Sequence, residues 1–465
     1  VSAAFDAWWL PAGTEDAEIQ TLEVGDLECR YPAPTPTLIE ASVRTLRDAG
    51  RELAERPVDD VVATIDRVAA RLRDPGHPVG AEAERLVTAA TGYHPAMTRL
   101  VLDRMSADWA AGPTRRLLRS ELGDPAVLDR FVPAPGNRRR RAYGPQLAFH
   151  VFAGNVPGVA VTSLVRSLLV KGPVLGKLAA GQPVLPVLFA RAVHAVDPAL
   201  ARAMAVTYWP GGAADAEWRV LESADTVVVY GGDDAVRSIQ ERTPAHARLL
   251  IHGPRVSAGL IGAEALHSLD PVAARAARAI AAFDQHGCVS PHTLWVETAG
   301  NTPGTGAAAF ARALAQALDE LEKTLPRGRV SPAEASAIHQ ERGAAELRGH
   351  ATPGVQVHAG PGTRWTVVYD PEPVFRPSCL NRFVHVHPIP DIEEAVDLLA
   401  PLGDRIQSVA VEAHPDRRTR IAHRLARAGA TRITSLERLP WPPPQWHHDG
   451  RQPLGELLRW VDLED

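Results

Sequence analysis

The feature that most constrains this chain begins at Gln146, where short apolar runs start to alternate with helical stretches and the runs end in glycine-rich turns. Leu147 to Ala153 is the first such run, closing in Gly154-Asn155-Val156-Pro157-Gly158. Val161 to Val170 reads as a helix, Pro173 to Lys177 as a second strand and Pro186 to Val196 as a helix again. Ala203 to Trp209 is a third strand, ending in Pro210-Gly211-Gly212; Thr226 to Tyr230 is a fourth, ending in Gly231-Gly232, and Ala235 to Glu241 opens the next helix. A chain that alternates in this way folds as a doubly wound parallel sheet. Ligands of such sheets bind beyond the carboxyl ends of the strands, where the glycines lie, and a dinucleotide suits that place although no GxGxxG fingerprint is present.

On either side the pattern differs. Residues 1–130 read as mainly helical, with apolar residues at helical spacing over Thr37 to Glu55, Val58 to Leu72, Glu82 to Thr91 and Pro95 to Trp109. Pro133 to Asn137 is a loop, and the run Arg138 to Arg141 that follows reads as a solvated basic loop, with a phosphate-bearing ligand as the alternative. After Gly253-Pro254 a second α/β segment begins: a helix over Pro271 to Phe283, a turn over Asp284 to Cys288, a strand over Thr293 to Glu297, then Phe383 to His387, a helix over Ile392 to Leu399, and Ser408 to Val411. A proline-stiffened tail, Trp441 to Gly450, closes with a short helix around Leu454 to Val461. The expected division is therefore a helical N-terminal region (1–130) packed on a dinucleotide-binding domain (131–253), a catalytic domain (254–440) and a C-terminal segment (441–465). A net charge of −5 argues against a polyanion-binding protein. No stretch is long and apolar enough for a membrane span, and Val1-Ser2-Ala3 opens without a basic, then apolar, leader. Three scattered cysteines form neither a disulfide framework nor a cysteine-rich zinc site, so no metal is expected and a reducing cytoplasm is the simplest setting.

Cys288 stands out among those cysteines. It lies in a polar turn between a helix and a strand, beside His286, Gly287 and Ser290, where a thiolate can be exposed and activated. His286 reads as a hydrogen-bonding histidine rather than a base. In Gly154-Asn155-Val156-Pro157-Gly158 the glycines allow close backbone approach, and the Asn155 amide can donate to an oxyanion.

The order Asn155, Lys177, Pro210-Gly211, Gly231-Gly232, Gly253, Cys288 resembles the aldehyde dehydrogenase superfamily. More closely, Ala153 to Gly158, Asp284 to Pro291, and the tail Trp446-His447-His448-Asp449-Gly450 with Leu457 to Asp462 resemble the LuxC-like acyl-CoA reductases of bacterial bioluminescence. The likeness runs over nearly the whole chain. It implies an aldehyde dehydrogenase-like α/β fold: a Rossmann-type cofactor domain, an α/β catalytic domain and a helical N-terminal region. It also implies NADPH-dependent reduction of an acyl thioester to the aldehyde. Cys288 would accept the acyl group and Asn155 would donate to the thioester oxyanion. Lys177 would contact the adenosine ribose or its phosphate, and Ala153, Gly211, Gly231, Gly232 and Gly253 would line the cofactor.

Two departures from the superfamily pattern sharpen this. Oxidising members carry a glutamate before the glycines that lead into the catalytic domain, where Leu250-Ile251-His252-Gly253-Pro254 has no carboxylate, so the acyl-enzyme escapes an activated water. NAD-preferring members often carry an acid three residues after the lysine, where Lys177-Leu178-Ala179-Ala180 has alanine; that favours NADPH. The resemblance further implies an ATP-dependent acyl-protein synthetase as partner and a homo-oligomer. The alternatives are an aldehyde-oxidising or CoA-acylating dehydrogenase, an aryl-acid reductase component, and a non-catalytic acyl-binding subunit.

Overall fold

A computed structural model describes residues 3–14, 17–298, 306–351 and 353–464; Val1 and Ser2, part of the expected leaderless start, lie outside them. The chain divides into two compact units, Val1–Gly253 with Pro443–Asp465, and Pro254–Pro442.

The first unit opens with strands where a helical region was expected. β1 (Ala3–Asp6), β2 (Ile19–Val24) and β3 (Leu27–Pro32) form a three-stranded sheet in the order β1-β3-β2. β1 has four residues and β2 is largely exposed, so neither leaves a clear apolar pattern in the sequence. β2 and β3 meet at a tight turn in which Gly25 has φ +59°, and a side chain there would also strike the Ala89 carbonyl.

The helices follow: α1 (Pro36–Glu55), α2 (Val58–Arg73), α3 (Pro78–Thr91), α4 (Pro95–Trp109) and α5 (Ala111–Leu122). α1, α3 and α4 each start on a proline, which gives up an amide that would have no partner in a first turn. α2 buries Val58, Val61, Val62, Ile65, Val68, Ala69 and Leu72, the single apolar face its spacing prescribes.

β4 (Val132–Ala134) and β5 (Arg138–Tyr143) come next, so the arginine run is a strand rather than a loop. Then the alternation takes over with β6 (Ala148–Val151), α6 (Val159–Leu169), β7 (Val174–Leu178), α7 (Val184–Val196), α8 (Pro198–Ala201) and β8 (Met204–Tyr208). α9 (Ala214–Ser223), β9 (Thr226–Tyr230), α10 (Asp233–Arg242) and β10 (Arg248–His252) complete it. The sheet is parallel throughout, in the order β10-β9-β6-β7-β8. β6 and β9 are buried along their length, as strands covered by helices on both faces must be. The strand order reverses between β6 and β9, and crevices at such a reversal are where doubly wound sheets hold ligands.

The second unit contains β11 (Val256–Ile261), α11 (Leu269–Ala281), β12 (Pro291–Glu297), α12 (Ala307–Glu322), α13 (Pro332–Ala351), β13 (Gln356–Ala359) and β14 (Thr366–Tyr369). β15 (Phe383–Ile389), α14 (Ala395–Leu399), β16 (Ile406–Glu412), α15 (Pro415–Arg427) and β17 (Arg432–Thr434) finish it. Its sheet runs β13-β14-β15-β12-β11-β16-β17, parallel except for β13. α11 ends at Ala281 rather than Phe283, because Phe283 has left-handed backbone.

The tail then returns to the first unit. The short helix expected around Leu454 to Val461 is instead a single turn at Gly455–Leu457 followed by β18 (Arg459–Glu464). β18 pairs antiparallel with β5, Arg459 opposite Tyr143 through to Glu464 opposite Arg138, and that distant pairing overrides the local pattern. Arg140 lies over the Trp460 ring across this pair. Among the described residues no helix is long and apolar enough to cross a membrane.

Candidate active site

In the first unit, the sequence-selected positions gather at one edge of the parallel sheet. Ala153 and Asn155 follow β6, Lys177 is the penultimate residue of β7, Gly211 follows β8, Gly231 and Gly232 follow β9, and Gly253 follows β10. Because all five strands point the same way, these residues share the carboxyl edge, with Asn155 and Gly231 on either side of the reversal. Asn155 is exposed there.

Lys177 is not a surface lysine. Its Nζ lies 2.6 Å from Glu217 Oε2, and its side chain is only 13% exposed. Glu217, on α9, also accepts from Trp209 Nε1 at 3.1 Å and pairs with Arg242 of α10. Burial alone would push the Glu217 carboxyl up, but Lys177, Trp209 and Arg242 together hold it below the usual carboxylate range. The alanines after Lys177 therefore do not leave the lysine without an acid; one arrives from 40 residues further along the chain. Two cations against one carboxylate leave the cluster net positive.

In the second unit, Cys288 sits on a turn with unusual backbone. Phe283, Asp284 and Gln285 have φ of +55°, +48° and +71°, a region non-glycine residues enter at a cost of about 1–3 kcal/mol each. A matching triplet faces them: Leu380, Asn381 and Arg382, with φ of +65°, +58° and +62°. The two triplets brace each other. Arg382, fully buried, donates from Nε to Asp284 Oδ1 at 2.9 Å, and its Nη1 reaches Glu322 Oε2 at 2.9 Å. Gln285 donates to the Pro291 and Phe383 carbonyls and accepts from the Phe383 amide. His286 Nε2 lies 3.2 Å from Asn381 Oδ1, which makes it part of the brace, as a hydrogen-bonding histidine.

Cys288 is half-buried on this support. Ser257 Oγ donates to the Cys288 carbonyl at 2.8 Å and accepts from the Ser408 amide at 3.2 Å. Ser408 in turn stands opposite Arg432 of β17. Burial pulls the Arg432 guanidinium down to about 10, and the Cys288 thiolate charge pulls it the other way. By reciprocity that cation favours the thiolate. Burial pushes the other two cysteines up, Cys29 to about 11 and Cys379 to about 12, so both stay protonated. Replacing Arg432 with methionine is expected to move the midpoint of Cys288 alkylation to higher pH. A pH series with iodoacetamide, read by peptide mass spectrometry, checks this, and an unmoved midpoint counts against the electrostatic role.

Sequence reasoning missed Glu217, Arg242, Arg432 and the 380–382 brace. Each is an ordinary residue in its own segment and acquires meaning only from a partner on another element.

Two parallel-type α/β units, one with a glycine-rich carboxyl strand edge and one carrying a cysteine on a strained turn, define an aldehyde dehydrogenase-type architecture. Solved structures agree over nearly the full chain. Aldehyde dehydrogenase 21 from Physcomitrella patens superposes with a TM-score of 0.78 at 13% identity, covering 100% of this chain and 98% of that one. A benzaldehyde dehydrogenase from Corynebacterium glutamicum gives 0.71 at 16% identity, covering 99% of each. Within that architecture, the model of the acyl-CoA reductase (LuxC) family matches residues 53–460, and the chain belongs to that family. Curated relatives include the long-chain acyl-protein thioester reductase of Aliivibrio fischeri, 28% identical over 80% of this chain and 75% of its own length. The enzyme of the same description from Vibrio harveyi is 25% identical, over 80% and 76%.

Proposed function

We propose that this chain reduces an acyl thioester to the aldehyde with NADPH, through an acyl group held on Cys288. The observation that carries the reading is Cys288 itself: a half-buried cysteine near the Arg432 cation, on a turn built at conformational cost, in a chain of the acyl-CoA reductase family.

The residues at the sheet edge fit a dinucleotide. A Cβ built on Gly211, Gly232 or Gly253 meets no atom within 4 Å, so internal packing does not explain these glycines, whereas close backbone approach of a ligand does. Ala153, Gly211, Gly231, Gly232 and Gly253 would line it. Lys177 would turn from Glu217 to the adenosine ribose or its 2′-phosphate, with Arg242 beside it. NADPH, when bound, supplies the hydride. Lys177→Met is expected to raise the dissociation constant for NADPH by roughly 10-fold or more, the worth of one charge-assisted hydrogen bond. The constant for NADH should rise less than about threefold by the same reasoning. Fluorescence titration measures both, and equal losses would remove the preference for NADPH.

The protein's own part in the chemistry runs in two stages. The Cys288 thiolate attacks the acyl carbonyl and expels the carrier thiol, leaving a thioester on Sγ. Hydride addition to that carbonyl gives a thiohemiacetal oxyanion, which collapses to free aldehyde and regenerates the thiolate. Asn155 donates to the oxygen in both stages, a contribution typically of the order of 10²–10³ in rate. The absence of a carboxylate over Leu250 to Pro254 spares the thioester from hydrolysis. The acyl group would come from CoA or from an ATP-dependent synthetase partner in a reducing, cytoplasmic setting. A homo-oligomer is the expected assembly. A panel of acyl- and aryl-CoA thioesters with NADPH, read by mass spectrometry for adducts at Cys288, tests the whole reading. An acyl adduct and aldehyde are expected; no adduct from any thioester, or steady acid production from aldehyde without CoA, would overturn it.

A further inference from the structure

A small cavity of about 30 Å³ lies in the first unit, between α6, the ends of β9 and β10, and residues 448–457 of the returning tail. Its walls include His150, Ser163, Arg166, Tyr230, His252 and Arg451. Arg166 is the anomaly. It is 9% exposed, yet among the described residues its side chain makes neither a hydrogen bond nor an ion pair, and its Nε is fully buried. A buried guanidinium without a partner is costly, and such groups call for a specific explanation. The carboxylate that feels its charge, Glu121, has Oε2 committed to the amides of Leu454 and Gly455, and its buried Oε1, itself without a hydrogen bond, lies beyond ion-pair distance of Arg166. Arg451, exposed at the rim, likewise has no side-chain partner among the described residues.

The rest of the lining includes further polar groups. His252 Nδ1 is 2.6 Å from Asp449 Oδ2; a neutral ring that donates there presents the Nε2 lone pair, so His252 adds a donor only in its protonated form. Ser163 Oγ lies 2.9 Å from His150 Nδ1 and 3.3 Å from the Tyr230 hydroxyl. Burial pulls His150 down to about 3, with the charges of His252 and Arg166 acting in the same direction; Glu456 is the carboxylate among the lining residues.

A metal ion does not suit the place. His252, His448 and Asp449 are close enough to ligate. However, the two imidazoles stack face to face, 4.5 Å apart and 22° from parallel, so their in-plane lone pairs do not converge on one point. Two arginines on the walls, against the one lining carboxylate of Glu456, also disfavour a cation.

We infer that this cavity binds a small oxyanion of carboxylate size, gripped by Arg166 and Arg451. The volume admits about two water-sized groups, enough for one such headgroup. Its position favours a carboxylate carried by the acyl substrate. Asn155 leads directly into α6, and Arg166 lies about 12 Å along that helix from Gly158 at 1.5 Å per residue. Helical side chains tilt back toward the N-terminal end, which brings the guanidinium nearer the Asn155 loop. This placement rests on the functional reading above; the oxyanion site itself does not.

The test compares linear acyl-CoA thioesters matched in length, one ending in a carboxylate and one in a methyl group, with inorganic phosphate as a free-ion probe. For the wild-type chain with NADPH, kcat/KM is expected to favour the carboxylate-ended thioester by about tenfold or more, the worth of a charge-assisted contact. In Arg166→Gln that ratio should fall toward one. Arg451→Ala, on the exposed rim, should lower it in a protein whose folding is not at risk. Phosphate that raises the thermal midpoint of wild type but not of Arg451→Ala, without discrimination between thioesters, supports the same site and assigns it to a free ion. No discrimination together with no arginine-dependent phosphate effect overturns the inference. Stabilisation by Zn²⁺ that depends on His448, without an anion effect, overturns it as well. If neither thioester labels Cys288, the functional reading fails, and the phosphate titration still decides the site.

Discussion

Cys288→Ala is expected to abolish aldehyde formation from acyl-CoA while NADPH remains bound. The loss in kcat should be at least about 10⁴-fold, since removing the nucleophile of a covalent mechanism leaves only binding and oxyanion stabilisation. No other cysteine can substitute, because burial holds Cys29 and Cys379 in the thiol form. Misfolding is not expected to confuse the result: Ser257 bonds the backbone carbonyl at 288 and not the sulfur, and alanine keeps that carbonyl. The sheet edge that would hold NADPH belongs to the first unit, so cofactor titration should match the wild-type curve. Single-turnover mixing with acyl-CoA, followed by NADPH absorbance and intact-protein mass, separates the stages. Aldehyde production within tenfold of wild type in this variant would end the assignment.

The second large effect is on stability. Arg382→Leu removes a fully buried cation from between two carboxylates, Asp284 at 2.7 Å and Glu322 at 2.9 Å. Breaking a buried pair from one side leaves uncompensated charge and typically costs about 3–5 kcal/mol. For a unit of this size each kcal/mol lowers the midpoint by roughly 2–4 °C, so a fall of around 10 °C is expected. The triple variant Arg382→Leu, Asp284→Asn, Glu322→Gln should recover part of the loss, because it removes the stranded charges along with the cation. Scanning calorimetry on both chains checks this. A single variant that melts with the wild type would mean the network is dispensable.

Much of this was legible in the residues. The alternation after Gln146, with glycine turns closing each run, gave the parallel sheet, and strand direction alone then collected Asn155, Lys177 and the glycines on one edge. Cys288 was visible because a polar, glycine-containing turn is a poor place for a buried thiol. What escaped depends on distance along the chain. Arg459 to Glu464 has no intrinsic reason to be extended until Arg138 to Tyr143 lies beside it, so its local pattern was read as helix. The N-terminal strands are too short or too exposed to show a period. Alanine after Lys177 suggested the absence of an acid, but Glu217 comes from α9 and only the fold brings it there. Arg166 sits among the apolar residues of α6 and signals nothing until its partners are counted.

The paired left-handed triplets have a consequence for the chain as it is being made. Asp284 and Gln285 find the partners that hold their backbone 98 residues downstream, at Arg382 and Phe383. At translation speeds of roughly 5–20 residues per second, that interval lasts about 5–20 s. During it the emerging polypeptide carries an ordinary cysteine at position 288, with no brace, no Ser408 behind Ser257 and no Arg432 nearby. The surroundings proposed to favour the Cys288 thiolate are thus complete only with the second unit, and a chain cut short before β15 lacks them.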